Sequence, residues 1–124
     1  MIDFKNGALF KLKKSSTPTH VSSIQPLMVA GEQVISEYTA LRDYIIFTNK
    51  RIIAVNVQGV TGKKKDFTSL PYSKIQAFSV ETAGVLDLDS ELELYFSGLG
   101  KVKFEISGQN DIAEIGKVIS EKIL

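Results

Sequence analysis

The residue types best suited to holding an anion lie in Gly59-Val60-Thr61-Gly62-Lys63-Lys64-Lys65. Glycines followed by lysine invite comparison with a nucleotide-binding loop, whose backbone amides wrap phosphates. Such a loop needs four residues between its glycines and a serine or threonine after the lysine, so that a hydroxyl reaches magnesium. Here two residues separate Gly59 from Gly62, and Lys64 follows Lys63, which disfavours nucleotide hydrolysis. Three adjacent lysines still suit charge-assisted contacts to the phosphates of a lipid head group or an anionic membrane. Lys50 and Arg51 form a second basic pair, so the candidate anion-binding residues are Lys50, Arg51, Lys63, Lys64 and Lys65.

Other chemistries find less support. His20 is the sole histidine and there is no cysteine, so no zinc set can be completed and no metal site is assigned. A Ser-His-Asp arrangement would have to recruit that histidine from a polar stretch without a rigid platform. Asp87 and Asp89 sit two apart as in a calcium loop but lack its glycine and distal glutamate, and read as an acidic turn. Glu91 and Glu93 alternate along one segment, Lys101 and Lys103 along another, which fits cross-strand ion pairs better than an acid-base dyad. No set of acid, base, nucleophile or metal ligand converges, so the chain reads as non-catalytic and without cofactor.

Composition sets the wider bounds. The 124 residues and 44% hydrophobic content suit one domain with a real core. Fifteen basic and 14 acidic residues leave a net charge of +1, so there is no global field to attract nucleic acid and any basic site is local. The balance also favours reading the candidate lysines as a solvated face. Absence of cysteine suits a reducing, cytoplasmic location. The amino terminus, MIDFKNGALFKLKK, lacks the continuous apolar core of a signal peptide, and no apolar run approaches the roughly 18 residues of a membrane-spanning helix.

The lysine loop needs strands to hold it. Residues 44–47 and 52–57 are rich in β-branched and aromatic side chains and read as strands. Thr48-Asn49-Lys50-Arg51 reverses the chain between them, with Asn49 best able to take a left-handed backbone. Their nearly continuous apolar content predicts a sheet covered on one face and partly shielded on the other. Before them residues 34–41 form a strand that turns at Arg42-Asp43. After them come strands from Lys64 towards Pro71 and over residues 75–82, the latter with Phe78 and Val80 inward. Leu92, Leu94 and Phe96, then Val102, Phe104 and Ile106, alternate with charged or polar residues and predict two half-buried antiparallel strands around Ser97-Gly98-Leu99-Gly100. From Asp111 the period changes: Ile112, Ile115, Ile119 and Ile123 stripe a helix, with a capping box at Asn110, Asp111 and Glu114.

Residues 1–14 suggest a short amphipathic helix, docked on its own domain or on a neighbouring subunit in preference to a membrane. The serine, threonine and proline content of residues 15–26 suggests a linker. Residues 1–26 are accordingly read as an amino-terminal amphipathic segment with a polar linker, and residues 27–124 as the domain, in which Leu27–Glu32 forms a helical turn ended by Gly31. The fold class is mainly β with a C-terminal α-helix: seven antiparallel strands in a curved sheet or partly open barrel, closed at one end by the helix.

That order of elements is similar to the pleckstrin-homology (PH) fold. The residues resemble the bacterial PH domain family, through Gly31-Glu32, Tyr38, Arg42-Asp43, Phe47-Thr48-Asn49-Lys50-Arg51-Ile52-Ile53, Gln58-Gly59, Thr61-Gly62-Lys63-Lys64, Leu70-Pro71-Tyr72, Ile75 and Phe78-Ser79-Val80-Glu81-Thr82-Ala83-Gly84. The resemblance implies a small cytosolic protein whose relatives assemble into ring-like homo-oligomers. The expected partner is thus the chain itself, with a further protein partner open. Eukaryotic PH domains that bind phosphoinositides use a basic cluster around the loop between their first two strands. That loop here shrinks to Arg42-Asp43, which argues against inherited lipid binding. Recruitment to an anionic membrane through Lys63–Lys65, with Phe10–Lys14 as a second contact, is the alternative reading.

Overall fold

The computed structural model describes residues 1–4, 9–108 and 111–124. Its elements are β1 (Leu9–Lys14), α1 (Val21–Ile24), β2 (Val34–Ala40), β3 (Asp43–Thr48), β4 (Arg51–Gln58), β5 (Lys64–Pro71), β6 (Ile75–Glu81), β7 (Asp89–Phe96), β8 (Gly100–Ser107) and α2 (Asp111–Ile123), with 3₁₀ turns at Gln25–Leu27 and Tyr72–Lys74. The strands form one sheet in the order β5-β4-β3-β2-β1-β8-β7-β6, antiparallel throughout except where β1 and β8 run parallel.

The fold is therefore mainly β with a carboxyl-terminal helix, as the periodicities predict, but with eight described strands in place of seven. The additional strand is β1, in a segment expected to be helical. Leu12 is fully buried between exposed Lys11 and Lys13, and the segment joins the two halves of the sheet by pairing with β2 on one side and β8 on the other. Those ladders satisfy a backbone whose weak helical pattern could not compete. Ile2 and Phe4 are also buried, and Phe4 meets Phe104 edge-on at 6.0 Å. The amino-terminal segment thus docks on its own domain, and sheet pairing crosses the boundary expected at residue 26. Residues 5–8, including the Gly7 expected to weaken a helix, and the cap expected at Asn110 and the Asp111 side chain lie outside the described residues and side chains.

The uninterrupted apolar runs have a direct cause. Ile45, Phe47, Ile52 and Ala54 point into the main core with Leu92, Leu94, Phe104 and α2, whereas Tyr44, Ile46, Ile53 and Val55 point the other way and are covered by a strap over residues 15–27. This half of the sheet is buried on both faces. Burying the Ile24 side chain of the strap contributes roughly 1.5–3 kcal/mol, and it is fully inaccessible. The segment expected to be a linker is in fact a fitted cover, and the helical turn expected at Leu27–Glu32 falls slightly earlier, at Gln25–Leu27.

Helix α2 buries Ile112, Ile115 and Ile119, and Ile123 packs against the same core. It approaches β6 closely at Gly116, where a Cβ would lie 3.3 Å from Val80 Cγ1. Phe78 packs on the core as expected, but Val80 is 39% exposed and lies beneath the helix. On the opposite face of β7 and β8, Lys101 reaches Glu93 at 3.5 Å and Lys103 reaches Glu91 at 3.1 Å. The predicted ion pairs form, on diagonals of the ladder.

Candidate functional site

The five candidate cations do not form one site. Arg51 begins β4 opposite Pro71, and Lys64 begins β5 opposite Gln58 at the far end of the same ladder. Seven residue steps of about 3.3 Å place the two clusters roughly 23 Å apart. Lys50 is exposed in its turn. Arg51 is a structural residue: its Nε and Nη2 each donate to the Glu32 carboxylate at 2.9 Å, Nη2 also donates to the Leu27 carbonyl at 2.7 Å, and Nη1 donates to Ser69 Oγ at 2.9 Å.

That network explains the turn. Thr48 Oγ1 donates to Glu32 Oε2 at 2.7 Å and accepts from the amides of Lys50 and Arg51 at 3.1 Å. Asn49 is not left-handed, since the only non-glycine residues of positive φ among those described are Lys11 and Leu41. Its side chain instead latches the segment before β2, accepting from the Gln33 amide at 2.7 Å and donating to the Gly31 carbonyl at 3.0 Å. Burial alone would push the Glu32 carboxyl up, but hydrogen bonds from Arg51, Thr48 and the Val29 amide, with the Arg51 charge, hold it down at about 2.

A second buried carboxylate holds the strap. Glu37 accepts from Ser15 Oγ at 2.8 Å, from the amides of Thr19 and His20 at 3.2 and 2.8 Å, and from Thr19 Oγ1 at 3.2 Å. His20 Nδ1 lies 3.3 Å from it, and the His20 ring stacks on Tyr44 with centroids 4.0 Å apart. Burial acts to raise the Glu37 carboxyl, and these donors bring it below its ordinary value. The sequence marks Glu37 only as a polar residue in a strand. Nothing local announces that its partners come from residues 15–20.

Lys63, Lys64 and Lys65 are exposed at the β4–β5 hairpin tip, beside the β2–β3 tip. The latter turns at Leu41 and Arg42, one residue earlier than expected, because Asp43 joins β3 and accepts from the Val57 amide at 2.8 Å. Arg42 donates to the carbonyls of Gly59 and Val57, tying the two tips together. Leu41 and Val60 stand fully exposed there, and Leu41 adopts φ 53°. A leucine in that region is strained by about 1 kcal/mol or more. Leu41→Asn is expected to raise stability by roughly 0.5–1 kcal/mol, measured by urea unfolding.

A second exposed apolar group, Val85, Leu86 and Leu88, occupies the β6–β7 loop with Asp87. The acidic turn is present, closed by a bond from the Gly84 amide to the Asp87 carbonyl at 2.7 Å and one from the Asp89 amide to Asp87 Oδ1 at 3.1 Å. Beside it, a hydrogen bond with Asp89 and burial push the Glu105 carboxyl up. Sequence alternation marks residues that face a core but has no means of marking apolar residues held outward on tight turns.

The sheet ends at β5 and β6. Strand β5 carries Lys64, Lys65 and Pro71, which discourage chance pairing at an edge. Strand β6, Ile-Gln-Ala-Phe-Ser-Val-Glu, has neither lysine nor proline. A shallow depression of about 180 Å³ adjoins it, lined by Ala77, Phe78, Ser79, Leu94, Tyr95 and Lys101 among others. Among the described residues, no helix is long and apolar enough to cross a membrane.

A family model described as bacterial PH domain matches residues 3–123. The uncharacterized protein YjqA of Bacillus subtilis (strain 168) is 41% identical over 119 residues, 94% of this chain and 95% of that one. YozO from the same organism is 32% identical over 108 residues, covering 87% and 93%. A crystal structure of a protein with a pleckstrin-homology domain from Shewanella loihica PV-4 aligns with TM-score 0.79 and 37% identity, covering 92% of this chain and 98% of that one. A pleckstrin homology domain from Shewanella amazonensis SB2B aligns with TM-score 0.65 and 38% identity, covering 83% and 84%.

Proposed function

This chain belongs to the bacterial PH domain family, and from that premise we propose that it is a non-catalytic cytoplasmic scaffold that assembles with copies of itself into a closed ring. One observation carries the reading. The eight-stranded sheet stays open, and its β6 edge lacks the lysine and proline that keep an edge solitary. Pairing such an edge satisfies its outward amides and carbonyls, and a contact repeated by rotation closes into a ring. A further protein strand added to the same edge would provide binding of the β-augmentation kind. Light scattering at micromolar and higher concentrations tests this directly. A mass several times that of the 13.7 kDa chain is expected; a monomer at every concentration overturns the reading.

A second reading, peripheral attachment to an anionic membrane, draws on Lys63–Lys65 standing beside exposed Leu41 and Val60. Apolar tips flanked by lysines suit the boundary between head groups and acyl chains. Sedimentation with phosphatidylserine-containing vesicles, against neutral phosphatidylcholine vesicles, tests it. Binding to the anionic vesicles alone supports attachment, and equal recovery in the supernatant ends it.

A further inference from the structure

We propose that the β6–β7 loop, with the carboxylates beside it, docks a basic amphipathic segment of another protein, one whose lysines or arginines are interspersed with aliphatic side chains. This goes beyond self-assembly and does not depend on it. The surface is made of side chains on a loop and on the outward face of the sheet, not of the backbone of an edge strand.

The apolar part is held outward by the backbone. Val85 and Leu86 are 94% and 98% exposed, and Leu88 is 60% exposed. The turn that carries them is closed by the bond from the Gly84 amide to the Asp87 carbonyl and by that from the Asp89 amide to Asp87 Oδ1. Those bonds fix the turn with its aliphatic side chains off the core. A single exposed aliphatic residue needs no explanation. Three within four positions of one closed turn form a local apolar surface of the kind that a partner covers.

Register sets the charge beside it. Glu81 pairs with Glu91, and Glu91 with Glu105, so three carboxylates stand in one row across β6, β7 and β8. They share the outward face, since the alternate positions Leu92, Phe104 and Ile106 are buried. Asp89 lies two residues before Glu91 on that face, and Asp87 is on the turn itself. Like charges directly opposite one another on a ladder are destabilising. Lys103 offsets part of the cost by reaching Glu91 at 3.1 Å, and the Lys11 charge acts on Glu105 from β1. Glu105 is nevertheless pushed up, first by its hydrogen bond with Asp89. This end of the sheet therefore keeps an excess of negative charge in a chain whose net charge is +1. Such a surface repels nucleic acid and anionic lipid, and its exposed aliphatic side chains have no use for a purely ionic partner. A protein segment that brings cations and apolar side chains together satisfies both parts.

Fluorescence anisotropy with a labelled amphipathic peptide of leucine and lysine, about 15 residues long, tests the surface. Two control peptides of equal length carry glutamate for lysine or serine for leucine. The parent chain is expected to bind the leucine–lysine peptide roughly tenfold more tightly than either control. Val85→Ser with Leu86→Ser, and separately Glu81→Gln with Asp87→Asn, are each expected to raise Kd by roughly tenfold. The second pair should melt no lower than the parent, because it relieves the opposition of Glu81 and Glu91. Leu124→Ser removes an equally exposed aliphatic side chain at the end of α2 and should leave Kd unchanged. Raising salt from about 0.05 to about 0.5 M should weaken binding by the parent more than by the carboxyl variant. Equal binding of the three peptides, or of parent and loop variants, overturns the proposal. Light scattering on the same variants separates this surface from contacts between copies. Loop variants that keep the mass of the parent support a surface for another protein, and loss of mass assigns the loop to a neighbouring copy and overturns it. A monomeric parent ends the self-assembly reading and leaves the peptide measurements to decide this one.

Discussion

Glu32→Ala lowers the unfolding free energy by about 3–5 kcal/mol. The Glu32 carboxylate is fully buried and Arg51 retains only 18% side-chain exposure, so removing the acid strands a cation that water reaches poorly. Thr48 loses the nearer acceptor for its hydroxyl, at 2.7 Å, and keeps only the Arg51 carbonyl at 3.1 Å. Arg51→Lys is milder but still destabilising, because an ammonium cannot reproduce the two-pronged contact to Glu32 or reach Ser69 and Leu27 together. Acid gives the same result without substitution. The folded carboxyl stands at about 2 against an ordinary 4.5, so its contribution is complete above pH 4.5 and is lost as pH falls from there towards 2. The shift corresponds to roughly 3 kcal/mol. Urea unfolding at pH 7 and through the acid range measures both effects, and the Glu32→Ala chain should show a flatter acid dependence.

Glu37→Ala loosens the strap and costs about 3 kcal/mol. The carboxylate receives amides and hydroxyls from Ser15, Thr19 and His20, each bond strengthened by its charge. Thr19 is exposed, so water recovers part of the loss there. The larger consequence is positional: without the tether, the cover formed by Ile24 is less firmly held over Tyr44, Ile46, Ile53 and Val55. Hydrogen exchange should quicken at Thr19 and His20 and across β3 and β4, while α2 changes little. Glu37→Gln, which keeps the shape and one carbonyl acceptor, should fall between the parent and the alanine variant. Uniform acceleration over the whole chain would contradict the assignment of Glu37 as a local tether.

The contrast between these carboxylates and the core shows what was legible in the sequence. Residues 92–96 and 102–106 declare a half-buried face by strict alternation, and Ile112, Ile115 and Ile119 declare a helix stripe. Both signals are local, and with the β-branched runs they predict seven strands and the helix. Strand β1 escapes such a reading because Leu12 is its only described buried side chain, and its pairing partners lie at positions 38–39 and 104–106. No window of sequence contains that ladder.

The candidate cations divide along the same line. In the sequence Arg51 pairs with Lys50 as a basic couple, yet its structural partner Glu32 is 19 positions away. The strand expected from Lys64 is present, but the relation of Lys63–Lys65 to Leu41, Arg42 and Val60 depends on two hairpins meeting at one end. The open edge of β6 is likewise invisible before the strand order is known.

Hydrogen exchange of the parent chain as a function of its own concentration tests self-assembly through sheet edges most directly. On going from dilute to concentrated protein, slower exchange is expected in the outward amides of β5 and β6, with β3 and β4 unchanged. Edge amides that exchange at one rate at every concentration, while light scattering reports no rise in mass, would contradict it.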